Sequence, residues 1–252
     1  MRRTFPFFLL FVMIGCGDSA PPDSTLTIAV ASNFAPTAEM LITDFARESE
    51  IEVLLIPGST GKLTAQIQQG APYDIFLSAD SNSPAYLAEK GLALPDTQLT
   101  YALGRLVLYS RNPDLLDPAS GGLPETPIRH LAIANPTLAP YGRAAQETLR
   151  SLGKWEDFVP RLVRGESISQ AWHFVESGNA ELGFVALSQL SPDQIESSWV
   201  VPLTLHNPIE QDAILLNDRP EARQFFQFLQ SSRVREKIQD QGYELPPRFH
   251  AQ

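Results

Sequence analysis

Residues 26–45 read LTIAVASNFAPTAEMLITDF, and this stretch decides the fold. Leu26 to Ala31 is a short apolar run of strand type. Ser32-Asn33 is a small polar loop. Ala38, Leu41, Ile42 and Phe45 then recur at the i, i+3, i+4, i+7 spacing of a helix with one buried stripe. The same strand–loop–helix unit returns downstream. Residues 52–56, 74–78, 105–110, 130–134, 161–165 and 182–186 read as strands. Residues 62–69, 84–90, 143–152 and a stripe of Ile168, Ala171, Trp172 and Val175 read as helices, three of which end at Gly91, Gly153 and Gly178. Strands alternating with helices predict an α/β protein with parallel sheets covered on both faces.

The units fall in two runs, 25–100 and 128–190, separated by a Pro-, Gly- and Asp-rich surface excursion at 111–127. The tail differs: 200–205 and 212–216 read as strands, and Pro220 opens a helix carrying Ala222, Phe225, Phe226 and Leu229. The tail is expected to return to the first lobe. Lobe 1 is then discontinuous, residues 25–104 plus 205–252, and lobe 2 is 105–204, with crossings near 101–110 and 200–212.

The chain has 252 residues, 43% apolar and 19% charged, with a net charge of −10. It has no Lys/Arg-rich run, which argues against nucleic acid as a partner. Arg2-Arg3 followed by an uncharged run from Phe5 to Gly15 reads as a secretory signal over 1–16, too short to span a bilayer. Met13-Ile14-Gly15-Cys16 resembles a bacterial lipobox, with Cys16 the lipidated residue and 17–24 a Pro-rich tether. The expected location is the periplasm or cell envelope, lipid-anchored. Cys16 is the only cysteine, so the body has no disulfide, thiol nucleophile or Cys metal site. His130, His173, His206 and His250 show no metal-ligand spacing.

Four loops share one design, each following a strand and opening a helix: Ser32-Asn33, Ser59-Thr60, Pro140-Tyr141-Gly142 and Ser167-Ile168. A helix start offers unpaired N–H groups and roughly half a positive charge. Several aimed at one point hold an anion without Lys or Arg. Each loop taken singly is more simply a capped helix start; the set of four carries the anion reading. Lys62 and Arg143 are read as solvent-facing. Asp74 and Asp80 are read as helix caps or hinge braces, since a carboxylate facing a dianion repels it.

The stretches AVASNFAPTAEMLITDF (29–45), PGSTGKLTAQIQQGAPYDIFLSAD (57–80), YALGRLVLYS (101–110), LAIANPTLAPYGRAAQETLRSLG (131–153) and ELGFVALSQL (181–190) resemble, in order, the periplasmic molybdate-binding proteins of the ModA family. The resemblance implies a type II periplasmic-binding-protein fold, two α/β lobes with a ligand cleft between them. It implies an oxyanion, molybdate or tungstate, held by hydroxyls and backbone N–H groups, with no cofactor and no catalysis. It implies a monomeric receptor delivering to an inner-membrane ABC permease. Carried over position by position, the ligand set is Ser32 and Asn33, Ser59 and Thr60 with Thr60 favoured, Tyr141, and Ile168 through its N–H. Some members supply a tyrosine hydroxyl where this chain has Ala186; here Tyr141 is expected to take that part. Two other readings are a receptor for a different oxyanion such as sulfate, and a serine hydrolase using Ser59 or Ser32. The hydrolase lacks a G-x-S-x-G elbow and a well-placed base.

Overall fold

The structure is a computed structural model that describes residues 25–116, 122–124 and 127–246. The expected signal segment, tether and Cys16 lie outside the described residues, as does part of the 111–127 excursion.

The elements run β1 (Leu26–Ala31), α1 (Ala35–Phe45), β2 (Val53–Gly58), α2 (Thr60–Gln68), β3 (Ile75–Leu77), α3 (Asn82–Glu89), β4 (Leu99–Gly104), β5 (Leu106–Tyr109), β6 (Leu131–Ala134) and α4 (Pro140–Ser151). They continue α5 (Trp155–Phe158), β7 (Leu162–Gly165), α6 (Ile168–Glu176), β8 (Leu182–Ala186), α7 (Pro192–Glu196), β9 (Trp199–Val200), β10 (Ile209–Leu215), α8 (Pro220–Leu229) and α9 (Ser232–Asp240). Prolines sit in the first turn of α1, α4 and α8, where a missing N–H costs nothing. Gly153 and Gly178 end α4 and α6 at φ +68° and +74°, the left-handed turn that stops a helix.

Two five-stranded sheets result, in the orders β2-β1-β3-β10-β4 and β7-β6-β8-β5-β9. The expectation of wholly parallel sheets is corrected. β2, β1 and β3 are parallel, but β10 runs antiparallel to β3 and β4. β7, β6 and β8 are parallel, but β5 runs antiparallel to β8 and β9. The antiparallel strands are those next to the crossings. β4 ends where β10 begins, with Gly104 opposite Ile209, so the outgoing and returning chain meet side by side.

The tail does return to the first sheet. Phe225 and Phe228 of α8 pack against Phe45 of α1 with ring centroids 5.2 Å apart. The strand expected at 200–205 is largely absent: only Trp199–Val200 pairs, and Leu203–Leu205 is a 3-10 turn. Pro202, which lacks an N–H, lies between them and cannot continue a ladder. Each sheet has its own core. Leu106–Tyr109, β6, β8, Ala144, Ala145 and Leu149 build the one under the second sheet. β1, Phe34, Leu41, Phe45, Phe225 and Leu229 build the main one under the first.

The lobes touch directly along the cleft. Gly61 N–H donates to Leu138 O at 2.8 Å, and Ser169 Oγ donates to Ser32 O at 3.1 Å. Lys62 faces Glu166 at 3.4 Å, and Arg143 pairs with Asp80.

Candidate functional site

The four helix-opening loops converge. Ser32, Asn33, Ser59, Thr60, Pro140, Tyr141 and Ile168, with Ala31, Gly58, Ala79 and Ala139, line one small cavity between the two sheets. All six expected ligand residues are therefore brought together. No Lys, Arg, His, Asp or Glu is among the lining residues.

The local folding explains the donors. Thr60 and Ile168 are the first residues of α2 and α6, and Tyr141 is the second of α4. Their N–H groups have no carbonyl one turn back to bond. Ser59 stands at the N-cap of α2 yet makes no capping bond, and its hydroxyl is buried without a partner among the described residues. Ser167 is an ordinary cap, accepting from Gln170 N–H, and does not line the cavity. Thr60, the residue favoured from sequence, has its Oγ1 already accepting from Ala79 N–H at 3.1 Å. Thr60 keeps its O–H free to donate and Ser59 makes no bond at all among the described residues, so both hydroxyls of this loop can serve the cavity.

Tyr141 is 1% exposed, and its hydroxyl makes no well-formed hydrogen bond among the described residues, with the Asn33 side chain beside it. Burial pushes the phenol well above its ordinary pKa of 10, and neighbouring Tyr243 adds to the shift while Asn33 opposes it. It stays a neutral donor at any physiological pH. Gly142 is small for a reason unrelated to the ligand. A Cβ there would run into the Ala134 carbonyl at the end of β6.

Asn33 turns its side chain away from the donor role. Its amide donates to Gln211 Oε1 at 2.7 Å and Tyr243 Oη at 3.2 Å, and Tyr243 donates back to Asn33 O at 2.9 Å. That network, spanning loop, β10 and C-terminal segment, was invisible in the sequence. Its partners are 178 and 210 residues away. Ala186 is fully buried in β8 and carries no hydroxyl.

Most carbonyls of the lining already accept a hydrogen bond. Ala31 O takes Phe34 N–H, Gly58 O takes Ser32 N–H, Ser59 O takes Leu63 N–H, and Ala139 O takes Gly142 and Arg143 N–H. Ser32 O takes Ser169 Oγ, and Thr60 O takes Thr64 Oγ1.

Just outside lie the charges. Arg143, read from sequence as solvent-facing, is half-exposed but bridges the lobes to Asp80. Asp80 also caps α3 by accepting from Ser83 N–H at 2.9 Å. Lys62 is solvent-facing and bridges to Glu166. Asp74 is not at the cleft; it ties β1 to the tail through Thr27 N–H, Asn217 and Arg219.

A family model for bacterial extracellular solute-binding proteins matches residues 26–244. This chain belongs to that family. Within it, the ModA molybdate-binding protein of Rhodobacter capsulatus is 43% identical over 218 residues, covering 85% of this chain and 86% of its own. ModA of Azotobacter vinelandii is 39% identical over 250 residues, covering 96% and 99%. A solved structure of the Azotobacter vinelandii periplasmic molybdate-binding protein superposes with a TM-score of 0.81 at 38% identity, covering 88% of this chain and 99% of that one. The chain is thus a ModA-type solute-binding protein, an extracytoplasmic receptor and not an enzyme.

Proposed function

We propose that this ModA-type receptor captures a fully deprotonated tetrahedral oxyanion, molybdate or tungstate, and presents it to an inner-membrane ABC permease. One observation carries the reading: the cavity is lined by neutral donors lacking partners, above all Ser59 and Tyr141, and by carbonyls most of which already accept. Such a lining suits a dianion with acceptors on every side. It disfavours hydrogen phosphate, whose proton can bond only by turning one of these hydroxyls from donor to acceptor. Ser59 Oγ, Tyr141, Ser32 and the helix-start N–H groups of Thr60 and Ile168 hold the oxygens, and Asn33 fixes its loop. That the relatives are molybdate-binding proteins supports molybdate as the ion.

Residues 25–104 with 205–252 form one moving lobe and 105–204 the other. Cys16 anchors the monomer to the envelope by lipid, and Cys16→Ser releases it from the membrane fraction. Ligand binding only the folded state stabilises it by about 2.7 kcal/mol at a hundred times Kd. Scanning fluorimetry with molybdate should then raise Tm by roughly 5 °C or more, at about 2–4 °C per kcal/mol. No rise with molybdate or tungstate contradicts the proposal.

A further inference from the structure

Gly104 ends β4 at the outgoing crossing, opposite Ile209 on the returning strand. Its φ is not positive, so its backbone does not require glycine. It is buried, and the two nearest atoms over it come from the other lobe. A Cβ at 104 would overlap the Tyr141 hydroxyl and stand 2.9 Å from Cζ of that ring, with Gln211 Nε2 at 3.2 Å. Tyr141 belongs to α4 and packs in the core of the second sheet. Gly104 belongs to the first sheet.

From this we infer that Gly104 is a positioning residue: the bare Cα at the hinge is the seat into which the Tyr141 phenol tip lodges when the lobes close on ligand. The inference rests on the receptor reading above and adds how closure is registered. The front of the cleft has a matching contact, since Gly61 N–H meets Leu138 O at 2.8 Å and a Cβ on Gly61 would come 3.1 Å from that oxygen. The rear contact differs in one respect. The group it seats is a cavity-lining side chain, so a methyl at 104 displaces a ligand-facing ring as well as blocking closure. Gln211 and Asn33 flank the seat, joined at 2.7 Å, and connect it to the first ligand loop.

Molybdate titrations of wild type, Gly104→Ala, Tyr141→Phe and Gly104→Ala/Tyr141→Phe test this, with small-angle scattering for closure. Gly104→Ala is expected to lose at least about tenfold in affinity and most of the ligand-induced compaction, with its unliganded Tm near wild type. Removing the hydroxyl removes the worst overlap, so the Gly104→Ala penalty should shrink several-fold in the Phe background. An equal penalty in both backgrounds, or wild-type affinity and compaction in Gly104→Ala, overturns the inference. Wild type that binds no molybdate overturns the receptor reading instead. The seat is then decided by a crystal structure of Gly104→Ala: a Tyr141 hydroxyl displaced by more than about 1 Å supports it, and an unmoved one refutes it. Should Gly104→Ala not fold, Gly104→Ala/Tyr141→Leu, which removes the phenol tip, is expected to recover folding. Failure to do so counts against the seat.

Discussion

Ser59 and Tyr141 carry hydroxyls that the folded chain buries without a well-formed hydrogen bond among the described residues, each at a cost of about 1–3 kcal/mol. Tyr101, a packing aromatic against Phe34, bears the same cost, so what distinguishes Ser59 and Tyr141 is their place on the cavity. An oxyanion repays it with charge-assisted hydrogen bonds worth about 1.5–3 kcal/mol each. Tyr141→Phe should weaken molybdate binding by about 10- to 150-fold in calorimetry while leaving the unliganded Tm nearly unchanged. Ser59→Ala should lose affinity by at least about tenfold yet leave the unliganded protein as stable or more so. A drop in unliganded Tm with unchanged affinity would make these hydroxyls structural. The four loops were legible as helix openings, and Asn33 as a brace of the first was not. What was not legible was how each hydroxyl of the second loop is engaged. Thr60 and Ser59 are equivalent in sequence, and only the fold brings Ala79 N–H against Thr60 Oγ1.

At the scale of elements, the N-terminus of α4 presents both Tyr141 to the cavity and Arg143 to Asp80 across the cleft. The arginine side chain is 42% exposed, so the pair is screened and worth at most about 1 kcal/mol. Arg143→Ala is therefore expected to weaken binding only about two- to fivefold, with the effect fading at high salt. A hundredfold loss would make Arg143 a ligand. Where β8 begins, Glu181 accepts from Arg129 Nε at 2.8 Å and His130 N–H at 2.9 Å. Burial pushes its carboxyl up, but these bonds outweigh it and bring the pKa from 4.5 to about 2. A folded pKa below the unfolded one gives stability that is complete at neutral pH and lost as pH falls from about 4.5 towards 2. Glu181→Gln should lower stability by about 1–3 kcal/mol at pH 7 and flatten the acid limb of a pH–Tm profile in that window. The helices with strong apolar stripes were readable. β4 was not, because Leu99–Gly104 runs into Leu106–Tyr109 across Arg105 alone, with no turn to mark the change of sheet. α9 was missed because Val234 and Ile238 are its only buried residues amid charges.

The whole molecule is two sheets joined where β4 and β10 lie side by side, with the donors at the facing ends of helices from both. The place of β10 in the first sheet was expected from the change in grammar after residue 200. Strand direction was not, since apolar runs do not encode polarity. Closure follows from this layout, because neither sheet alone carries enough donors to surround an ion. Molybdate should reduce the radius of gyration in small-angle scattering, and an unchanged radius would speak for a rigid protein. The central claim is that neutral donors in a closed cleft select a proton-free dianion. Isothermal titration of the protein lacking residues 1–16 with molybdate, tungstate, sulfate and phosphate at neutral pH tests it most directly. The account predicts tight binding of molybdate and tungstate, and phosphate weaker by at least about a hundredfold; phosphate binding as tight as molybdate, or no molybdate binding, would contradict it.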